Sequence, residues 1–191
     1  MSRKNLTVLK KTHKFLLDKL KDKRTLQIYN KFRNNFKLEE DFIVAVSGGP
    51  DSLALSFLTK IYSIKKSINV KYYIVDHKLR KDSTNEVKFV TNLLKKLSIK
   101  LNILNWIGKK PKNNIQSIAR IKRYDLLIKE AKKFNIKSIL LAHHRGDLQE
   151  NFFIRIIRGS GLSGLVSFDK NSQIHQINLI RPLLKFDKKD L

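Results

Sequence analysis

The segment Ser47-Gly48-Gly49-Pro50-Asp51-Ser52 combines residue types that suit the binding of an anion. Two adjacent glycines let the backbone approach a ligand closely, and Ser47 and Ser52 can donate hydroxyl hydrogen bonds. The apolar residues 53–58 predict a helix whose unpaired N–H groups and positive dipole end point into the same space. Asp51, a carboxylate beside this site, fits if a divalent cation or a substrate ammonium group bridges it to the anion. The segment therefore predicts phosphate binding; the alternative is an ordinary strand-to-helix turn with Asp51 or Ser52 near the N-cap.

Polar residues follow three apolar runs that we predict to be strands. Carboxyl ends of parallel strands meet at one edge of a sheet, where such folds bind ligands, so these polar residues should lie close together. Histidines here can instead be packing or hydrogen-bonding residues; we favour a site role for His77 and His143 and leave His144 open. We expect no zinc site, because no histidine pair has helical spacing and the chain lacks cysteine. The runs are 42–46, 70–75 and 138–142, and the residues after them are the loop 47–52, Asp76 and His77, and His143, His144, Asp147 and Glu150.

Arginines at helical spacing form a second candidate surface. Arg120 and Arg123 lie three residues apart on one predicted helical face with Tyr124, which offers cations for phosphate and an aromatic ring for packing. Arg155 and Arg158 flank the end of a later apolar helix. The alternatives are a solvated helix face for the first pair and cations that satisfy the last helical carbonyls for the second.

The candidate residues are carried by strands that alternate with helices from about residue 40 onward. Alternation in units of about 30 residues is typical of a doubly wound, Rossmann-like parallel sheet, which is the α/β fold class we predict. Ser83 and Glu86 fit a capping box that begins one helix. Residues 5–36 predict two basic amphipathic helices, so we divide the chain into a basic N-terminal helical extension, residues 1–38, and an α/β domain, residues 39–191. A further strand is predicted at 99–104, between the runs 70–75 and 138–142. The helical patterns span 51–65, 83–97 and 114–134.

The composition excludes several classes of protein. The chain has 191 residues, 41 Lys+Arg against 16 Asp+Glu, and a formal net charge of +25. Such a charge attracts nucleic acid, nucleotides or an anionic membrane surface; a compositional bias toward lysine is the alternative explanation for part of it. The absence of cysteine excludes disulfide scaffolds, thiolate metal sites and catalytic thiols. No apolar run approaches the ~20 residues of a membrane helix, and no signal peptide is recognisable, so we expect a cytoplasmic protein without a membrane partner.

The order Ser-Gly-Gly-x-Asp-Ser between a strand and a helix resembles the PP-loop ATP pyrophosphatase superfamily, whose loop differs from the Gly-x-x-x-x-Gly-Lys-Ser/Thr of other nucleotide triphosphatases. Further segments resemble one family within it, the tRNA(Ile)-lysidine synthetases. This resemblance covers residues 40–191. The segments are Val75-Asp76-His77-Lys78-Leu79-Arg80 with Ser83 and Glu86, the Asn-x-Gln-x-x-Ala-Arg-x-x-Arg-Tyr order of residues 114–124, Ala142-His143-His144 through Asp147 and Glu150 to Leu165, and Arg181-Pro182-Leu183-Leu184.

The resemblance implies a ligase that forms a carbon–nitrogen bond with ATP and Mg²⁺. ATP would adenylate the wobble cytidine of an isoleucine tRNA with a CAU anticodon at carbon 2, releasing pyrophosphate, and free lysine would then displace AMP to form lysidine. Residues 39–191 would be the PP-loop ATP-binding catalytic domain, without the C-terminal tRNA-binding domains of longer members, and a homodimer is left open. The implied catalytic residues are Asp51, Asp147, Arg120 and Arg123; the ATP-binding residues are Ser47, Gly48, Gly49, Pro50, Asp51, Ser52, Asp76, His77 and His143; the lysine- or tRNA-binding residues are Glu150, Tyr124, Arg155, Arg158 and Ser160; and Asp51 is the Mg²⁺ ligand.

One segment departs from the family pattern. The family usually has His-His-x-Asp-Asp-Gln-x-Glu-Thr, whereas this chain has Gly146 for the first aspartate and Leu148 for the glutamine. We expect Asp147 to supply the carboxylate that the chemistry needs. The alternative hypotheses are another PP-loop tRNA-modifying enzyme and a catalytically weakened RNA-binding relative. Among the former, the tRNA thiolases are disfavoured because they use cysteines.

Overall fold

The computed structural model describes residues 3–80, 82–108, 111–157 and 171–191. Two helices precede the first strand, and strands and helices then alternate as the sequence predicts. The helices are α1 (Arg3–Asp18), α2 (Lys23–Asn35), α3 (Pro50–Lys66), α4 (Ser83–Lys96), α5 (Ile115–Lys133) and α6 (Arg145–Ile157), with short 3-10 turns at Lys19–Lys21 and Lys188–Asp190. The strands are β1 (Phe42–Val46), β2 (Val70–Asp76), β3 (Leu101–Asn105), β4 (Ser138–Leu140), β5 (Asn171–Ile174) and β6 (Ile177–Ile180).

The strands form one sheet in the order β3-β2-β1-β4-β6-β5. The five neighbouring strands β3, β2, β1, β4 and β6 are all paired in parallel. Val44 at the centre of β1 lies opposite Tyr72 of β2 and Leu140 of β4. This confirms the predicted doubly wound α/β fold. The hairpin of β5 and β6, which adds an antiparallel edge strand, was not predicted. Edge strands of this kind are common on otherwise parallel sheets.

Both faces of the sheet are covered by helices. Because side chains alternate along a strand, Val44 of β1 enters a core formed with α1 to α4, and Ile43 enters a core formed with α5. Both residues have no exposed surface. A strand buried on both faces must be apolar throughout, which explains the run Phe-Ile-Val-Ala-Val and holds the loop that follows β1 in a fixed place.

The N-terminal helices, which confirm the two helices predicted over residues 5–36, pack into the larger of these cores. Phe32 and Phe36 of the α2 end stack at 5.1 Å between ring centroids, and Phe36 meets Phe42 of β1 edge-on at 5.6 Å. The hydroxyl of Tyr62 on α3 donates to the carbonyl of Leu38 at 2.9 Å. The segment between α2 and β1 is thereby fastened to α3, and the proposed domain boundary after residue 38 stays a prediction.

The start of α4 differs from the predicted capping box. Asp82, not Ser83, is the N-cap residue, and its side chain makes no capping hydrogen bond. The hydroxyl of Ser83 donates instead to Asp76 at 3.0 Å, and Glu86 pairs with Arg80 at 3.2 Å. The sequence has the Ser-x-x-Glu spacing of a capping box. The Ser83 hydroxyl does not cap the helix, because it bonds to the buried carboxylate of Asp76 at the end of β2.

Within the described part of the chain, none of the helices combines the length and apolar character needed to cross a lipid bilayer.

Candidate active site

The order of the strands creates a crevice between β1 and β4. The chain runs from β1 outward through β2 to β3, then crosses to the other side of β1 to form β4, so the loops after β1 and β4 diverge. A crevice at such a switch point is the usual ligand site of an open α/β sheet. A cavity of about 380 Å³ lies here; it is lined by Ala45, Val46, Ser47, Asp51, Ser52, Gln116, Arg120, Arg123, Tyr124, Leu141, Ala142, His143 and Asp147.

The conformation of the loop after β1 depends on Gly48 and on the hydroxyl of Ser52. Gly48 has φ +88°, a conformation that residues with a Cβ rarely adopt, and a Cβ there would lie 3.1 Å from Cγ2 of Val90. The buried hydroxyl of Ser52 accepts the Gly48 N–H at 3.1 Å and donates to the Gly49 carbonyl at 2.8 Å. Since its proton is directed at Gly49, Ser52 shapes the loop from inside, and the exposed Ser47 is the hydroxyl that faces outward.

The N-terminus of α3 opens into this loop. Gly49 is the N-cap residue and has no side chain to cap the helix, and Pro50 occupies the first turn. Pro50 has no N–H, and the Ser52 and Leu53 N–H groups donate to the Gly49 carbonyl at 3.1 Å. The Asp51 N–H and the positive dipole end of α3 are therefore what this turn offers to an anion. Asp51 lies in the same turn, and its Oδ1 is buried with no hydrogen-bond partner among the described residues. A buried carboxylate oxygen is costly to leave unpaired, so Asp51 fits a role in holding a cation.

A second cavity, of about 610 Å³, shares Ser47 with the first, is also lined by Gly48 and Gly49, and extends toward α4. Asp76 and His77 line it, as does the exposed side chain of Phe89. The larger set of lining residues includes Ile74, Val75, Leu79, Arg80, Ser83, Asn85, Glu86, Val87 and Val90. The glycine loop therefore separates two cavities that open on either side of β1.

Asp76 organises the wall of the larger cavity. Its carboxylate accepts hydrogen bonds from the Lys78 N–H at 2.9 Å and from the hydroxyls of Ser83 and Thr84, each at 3.0 Å. Burial raises the pKa of this carboxyl, but these hydrogen bonds and the nearby Lys78 charge outweigh burial, and the net pKa is lowered. Asp76 is thus an ionised residue that shapes the turn between β2 and α4.

His77 packs against the tryptophan of the chain. Its ring lies 5.9 Å from that of Trp106 in an edge-on arrangement, and Trp106 is only 6% exposed. The Trp106 N–H of the backbone donates to the Asp76 carbonyl at 3.1 Å, which extends the pairing of β2 with β3. The sequence patterns assigned no role to Trp106. Its position one residue beyond β3, at the edge of the sheet where ligands bind, could have indicated that it lies near the site.

The opposite wall of the smaller cavity is cationic. Arg120 lies over the ring of Tyr124 at 5.9 Å, and burial lowers the pKa of Arg123. None of the ion pairs found among the described residues involves either arginine. Two cations without acidic partners beside a cavity suit an anionic ligand, as the helical spacing predicted.

The first turn of α6 completes the cavity. Asp147 accepts a hydrogen bond from the His144 N–H at 2.8 Å, and the Nδ1 atom of His144 accepts one from the Gly146 N–H at 2.9 Å. The Nε2 atom of His144 lies 3.6 Å from Oδ2 of Asp51. The role of His144 was left open by the sequence, and the structure brings it beside the loop as a buried residue, 6% exposed.

His143 lies in a strongly positive environment. Burial is the main reason that its pKa falls to about 4. The cations Arg181, Arg120 and Arg123 lower it further, and Asp147 opposes them. His143 is therefore a neutral imidazole at physiological pH.

This low pKa makes the stability of the protein depend on pH. An unfolded histidine titrates near 6.5, so between that pH and about 4 the unfolded state binds a proton at His143 that the folded state does not. Stability is thus lost as pH falls through this window, by up to about 3 kcal/mol. We expect His143→Gln to lose less stability than wild type between pH 7 and about 4.5 in urea unfolding; an identical pH profile for both proteins would contradict the assignment.

Comparison with known proteins shows which family the chain belongs to. The family model described as the PP-loop domain matches residues 19–191. The chain belongs to the PP-loop family. This confirms the superfamily predicted from the loop after β1, and the match includes α2 of the predicted N-terminal extension.

The PP-loop chain is similar to curated proteins named tRNA(Ile)-lysidine synthase. The protein of Orientia tsutsugamushi (strain Boryong) is 37% identical over 166 residues, which are 87% of this chain and 36% of that protein. The protein of Wolbachia sp. subsp. Brugia malayi (strain TRS) is 42% identical over 147 residues, 76% of this chain and 34% of that protein. The chain therefore spans about a third of the length of these relatives.

A solved structure confirms the PP-loop fold. The U34-tRNA thiolase NcsA from Methanococcus maripaludis, determined with its [4Fe-4S] cluster, aligns with a TM-score of 0.75 over 87% of this chain and 60% of that one. The sequence identity is 15%, so this likeness concerns the fold.

The PP-loop structure does not bring every predicted site residue to the cavities. Glu150 is exposed on α6, one turn beyond Asp147, and does not line either cavity. Arg155 lies near the end of α6, whereas Arg158 and Ser160 lie outside the described residues. Arg181 at the end of β6 had no assigned role; it is 5% exposed and donates to Ser172 at 3.0 Å. The other predicted residues, apart from Pro50, line one or both cavities.

Proposed function

We propose that this PP-loop protein catalyses the reaction of tRNA(Ile)-lysidine synthetases. In the first step, the oxygen on carbon 2 of the wobble cytidine attacks the α-phosphorus of ATP, and pyrophosphate leaves. In the second, an amine of free lysine bonds to carbon 2, the carbon–oxygen bond breaks, AMP leaves with that oxygen, and the amine loses a proton. The observation that carries the proposal is the junction of an anion loop with a cavity that has carboxylates on one side and arginines on the other.

The two cavities suit the two parts of the reaction. We assign the phosphates of ATP to the loop Ser47–Gly49 and the N-terminus of α3, where the positive dipole end of the helix meets the exposed Ser47. The nucleoside is assigned to the 610 Å³ cavity beside His77 and Phe89, which offers an aromatic ring at its edge. The α-phosphate then lies between the two cavities, so the group that attacks it enters from the 380 Å³ cavity.

The smaller cavity offers partners for both ends of lysine. A lysine ammonium requires carboxylates, and Asp51 and Asp147 line this cavity. Arg120 and Arg123 on the facing helix suit the lysine carboxylate or a phosphate of the tRNA. The neutral imidazole of His143 between them can accept a proton from an amine that is losing one.

Asp51 also fits Mg²⁺. Its buried Oδ1 has no partner among the described residues, and Mg²⁺ is commonly held by one or two carboxylates together with substrate phosphates and waters. When bound there, Mg²⁺ would neutralise charge on the phosphates. No cluster of three potential metal ligands exists among the described residues, so Asp51 with the phosphates is the set we propose.

The net charge of the chain supports a tRNA substrate. A formal charge of +25 attracts the phosphates of tRNA at cellular salt, and the reaction takes place where tRNA, ATP and free lysine occur together, in the cytoplasm. The anticodon must enter the 380 Å³ cavity with its wobble base turned out of the stack, because the carbon that reacts has to reach the α-phosphate.

A lysine-incorporation assay tests this function. Purified protein with ATP, Mg²⁺ and radiolabelled lysine should label isoleucine tRNA with a CAU anticodon and release one AMP per lysine incorporated. Methionine tRNA has the same anticodon on a different body, and isoleucine tRNA with a GAU anticodon has the matching body; neither should be labelled. Release of AMP without lysine incorporation would assign the protein to another PP-loop reaction.

A second candidate function is supported by the first turn of α6. Gly146 and Leu148 replace the aspartate and glutamine that are usual in the family, which removes one carboxylate near the cavity. A protein that binds tRNA without modifying it would release no AMP with any tRNA in this assay, and would show salt-sensitive tRNA binding in a separate binding measurement.

A further inference from the structure

We propose that His144 is a positioning residue that orients the carboxylate of Asp51, and that Gly146 is the residue that makes this arrangement possible. The inference rests on the proposed function for its kinetic consequences, because Asp51 belongs to the proposed site. The geometry itself concerns three residues of this chain, and one of them, Gly146, is where the chain departs from its family.

His144 is the N-cap residue of α6. Its carbonyl accepts the Leu148 N–H at 3.4 Å, and its Nδ1 accepts the Gly146 N–H at 2.9 Å. In return, the Asp147 carboxylate accepts the His144 N–H at 2.8 Å. These reciprocal hydrogen bonds resemble a capping box, with an imidazole nitrogen in place of the usual hydroxyl. The ring of His144 is therefore held at a fixed place on the helix.

Gly146 leaves room for the ring. A Cβ at this position would lie 2.7 Å from Cε1 of His144, closer than real Cβ contacts, and 3.0 Å from its Nδ1, which is also tight. Any other residue would therefore push the imidazole away from the helix N-terminus. Because Gly146 is helical, its role is space and not an unusual backbone conformation.

The hydrogen bond from Gly146 determines the tautomer. A ring nitrogen that accepts a hydrogen bond carries no proton, so the neutral ring carries its proton on Nε2. Nε2 lies 3.6 Å from Oδ2 of Asp51, which is longer than a hydrogen bond but close enough for an Nε2–H dipole to attract the carboxylate. The His144 side chain is 8% exposed, so little water screens the contact.

The contact determines which oxygen of Asp51 is available to a ligand. Oδ2 faces the imidazole, and Oδ1 is buried without a partner among the described residues. Rotation of the carboxylate out of this orientation would move both oxygens and lose the favourable contact with Nε2–H. His144 thus presents Oδ1 to the ligand without contacting that ligand itself. Partners that orient a charged ligand in this way typically change activity by about 10–100-fold when they are removed.

Two substitutions separate the two nitrogens of His144. The amide oxygen of His144→Asn takes the place of Nδ1 and can still cap α6, but it leaves no donor toward Asp51. The amide nitrogen of His144→Gln takes the place of Nε2 and can still donate to Asp51, but it leaves the Gly146 N–H without its partner. We expect His144→Asn to keep the wild-type melting temperature and lose about 10–100-fold in kcat for AMP formation. We expect His144→Gln to have a lower melting temperature and a kcat within about threefold of wild type.

The opposite result overturns the proposal. If His144 acted only as a helix cap, Asn would restore activity and Gln would not. His175→Asn, at an exposed turn between β5 and β6, serves as the matched histidine control and should leave both quantities unchanged.

Gly146→Ala provides an independent test of the same coupling. Gly146→Ala should reduce kcat to about the level of His144→Asn. A double variant that carries both substitutions should be no slower than either single variant, because both substitutions remove the same interaction. Losses that multiply in the double variant would show that the two residues act separately.

A spectroscopic measurement distinguishes failure of this inference from failure of the proposed function. In ¹⁵N spectra of the 191-residue protein, the His144 ring should be protonated at Nε2 and not at Nδ1, and its Nε2 resonance should shift in Asp51→Asn. A proton on Nδ1, or an Nε2 resonance that ignores Asp51→Asn, overturns the positioning role whatever the activity. The expected spectrum in a protein that incorporates no lysine would leave the positioning role standing and refute the proposed function.

Discussion

Asp51→Asn should abolish turnover while leaving the fold intact. The substitution keeps the shape of the side chain and removes its negative charge, which is the property that Mg²⁺ or an ammonium group requires. We expect AMP formation in the presence of tRNA and lysine to fall by about 10²–10³-fold, the loss typical when one central electrostatic group is removed from an active site. Quantification of released AMP measures the effect.

The stability of Asp51→Asn, unlike its activity, should not fall. Oδ1 of Asp51 is buried without a partner among the described residues, and an amide is less costly to bury than a carboxylate. The melting temperature of Asp51→Asn should therefore equal or exceed that of wild type. Asp125→Asn, on an exposed part of α5, is the matched control and should change neither quantity. Near-normal turnover of Asp51→Asn would remove this residue from the catalytic set.

Gly48→Ala should weaken ATP binding and reduce stability together. A Cβ at φ +88° is strained by about 1–2 kcal/mol, and it would also press on Cγ2 of Val90 at 3.1 Å. Relief of either effect moves the loop away from the conformation that surrounds the proposed phosphate site. We expect the affinity for ATP, measured by calorimetry, to fall at least ~10-fold.

Gly108→Ala is the control for backbone strain alone. Gly108 has φ +115°, and a Cβ there meets nothing within 4 Å. It should therefore lose stability through strain and keep the wild-type affinity for ATP. If Gly48→Ala bound ATP as wild type does, the phosphate site would not depend on the conformation of this loop.

The parallel part of the fold was predictable because its signals are local. Each predicted strand is an apolar run and each helix has its own periodicity, so β1 and α3 could be located without knowledge of their neighbours. The hairpin of β5 and β6 was not predictable in this way. Its first strand, Asn171–Ile174, is short and polar, and it forms because β6 pairs with β4, which is distant in the chain. Strand β4 also ends at Leu140, two residues earlier than predicted.

The site was predictable to the level of which segments meet, but not of which atoms are used. The strand-end rule correctly brought the loop after β1 next to Asp147 and His143. The rule could not show that Asp76 is engaged by three donors of its own turn, or that Ser52 directs its proton to Gly49. Those assignments depend on hydrogen bonds that form only after the loops are packed.

The same fold is used here without cysteine. The archaeal thiolase structure that aligns with this chain was determined with an iron–sulfur cluster, and this chain has no thiolate to hold one. Fold and chemistry are therefore separable in these proteins.

The contact between His77 and Trp106 makes the larger cavity visible to optical methods. Trp106 is the single tryptophan of the chain, it is nearly fully buried, and its ring touches a residue that lines the cavity assigned to the nucleoside. All indole fluorescence of the protein therefore originates beside one ligand pocket, with no background from other tryptophans. Occupation of that pocket can be followed in real time on the unlabelled protein, without attaching a dye near the proposed tRNA-binding surface.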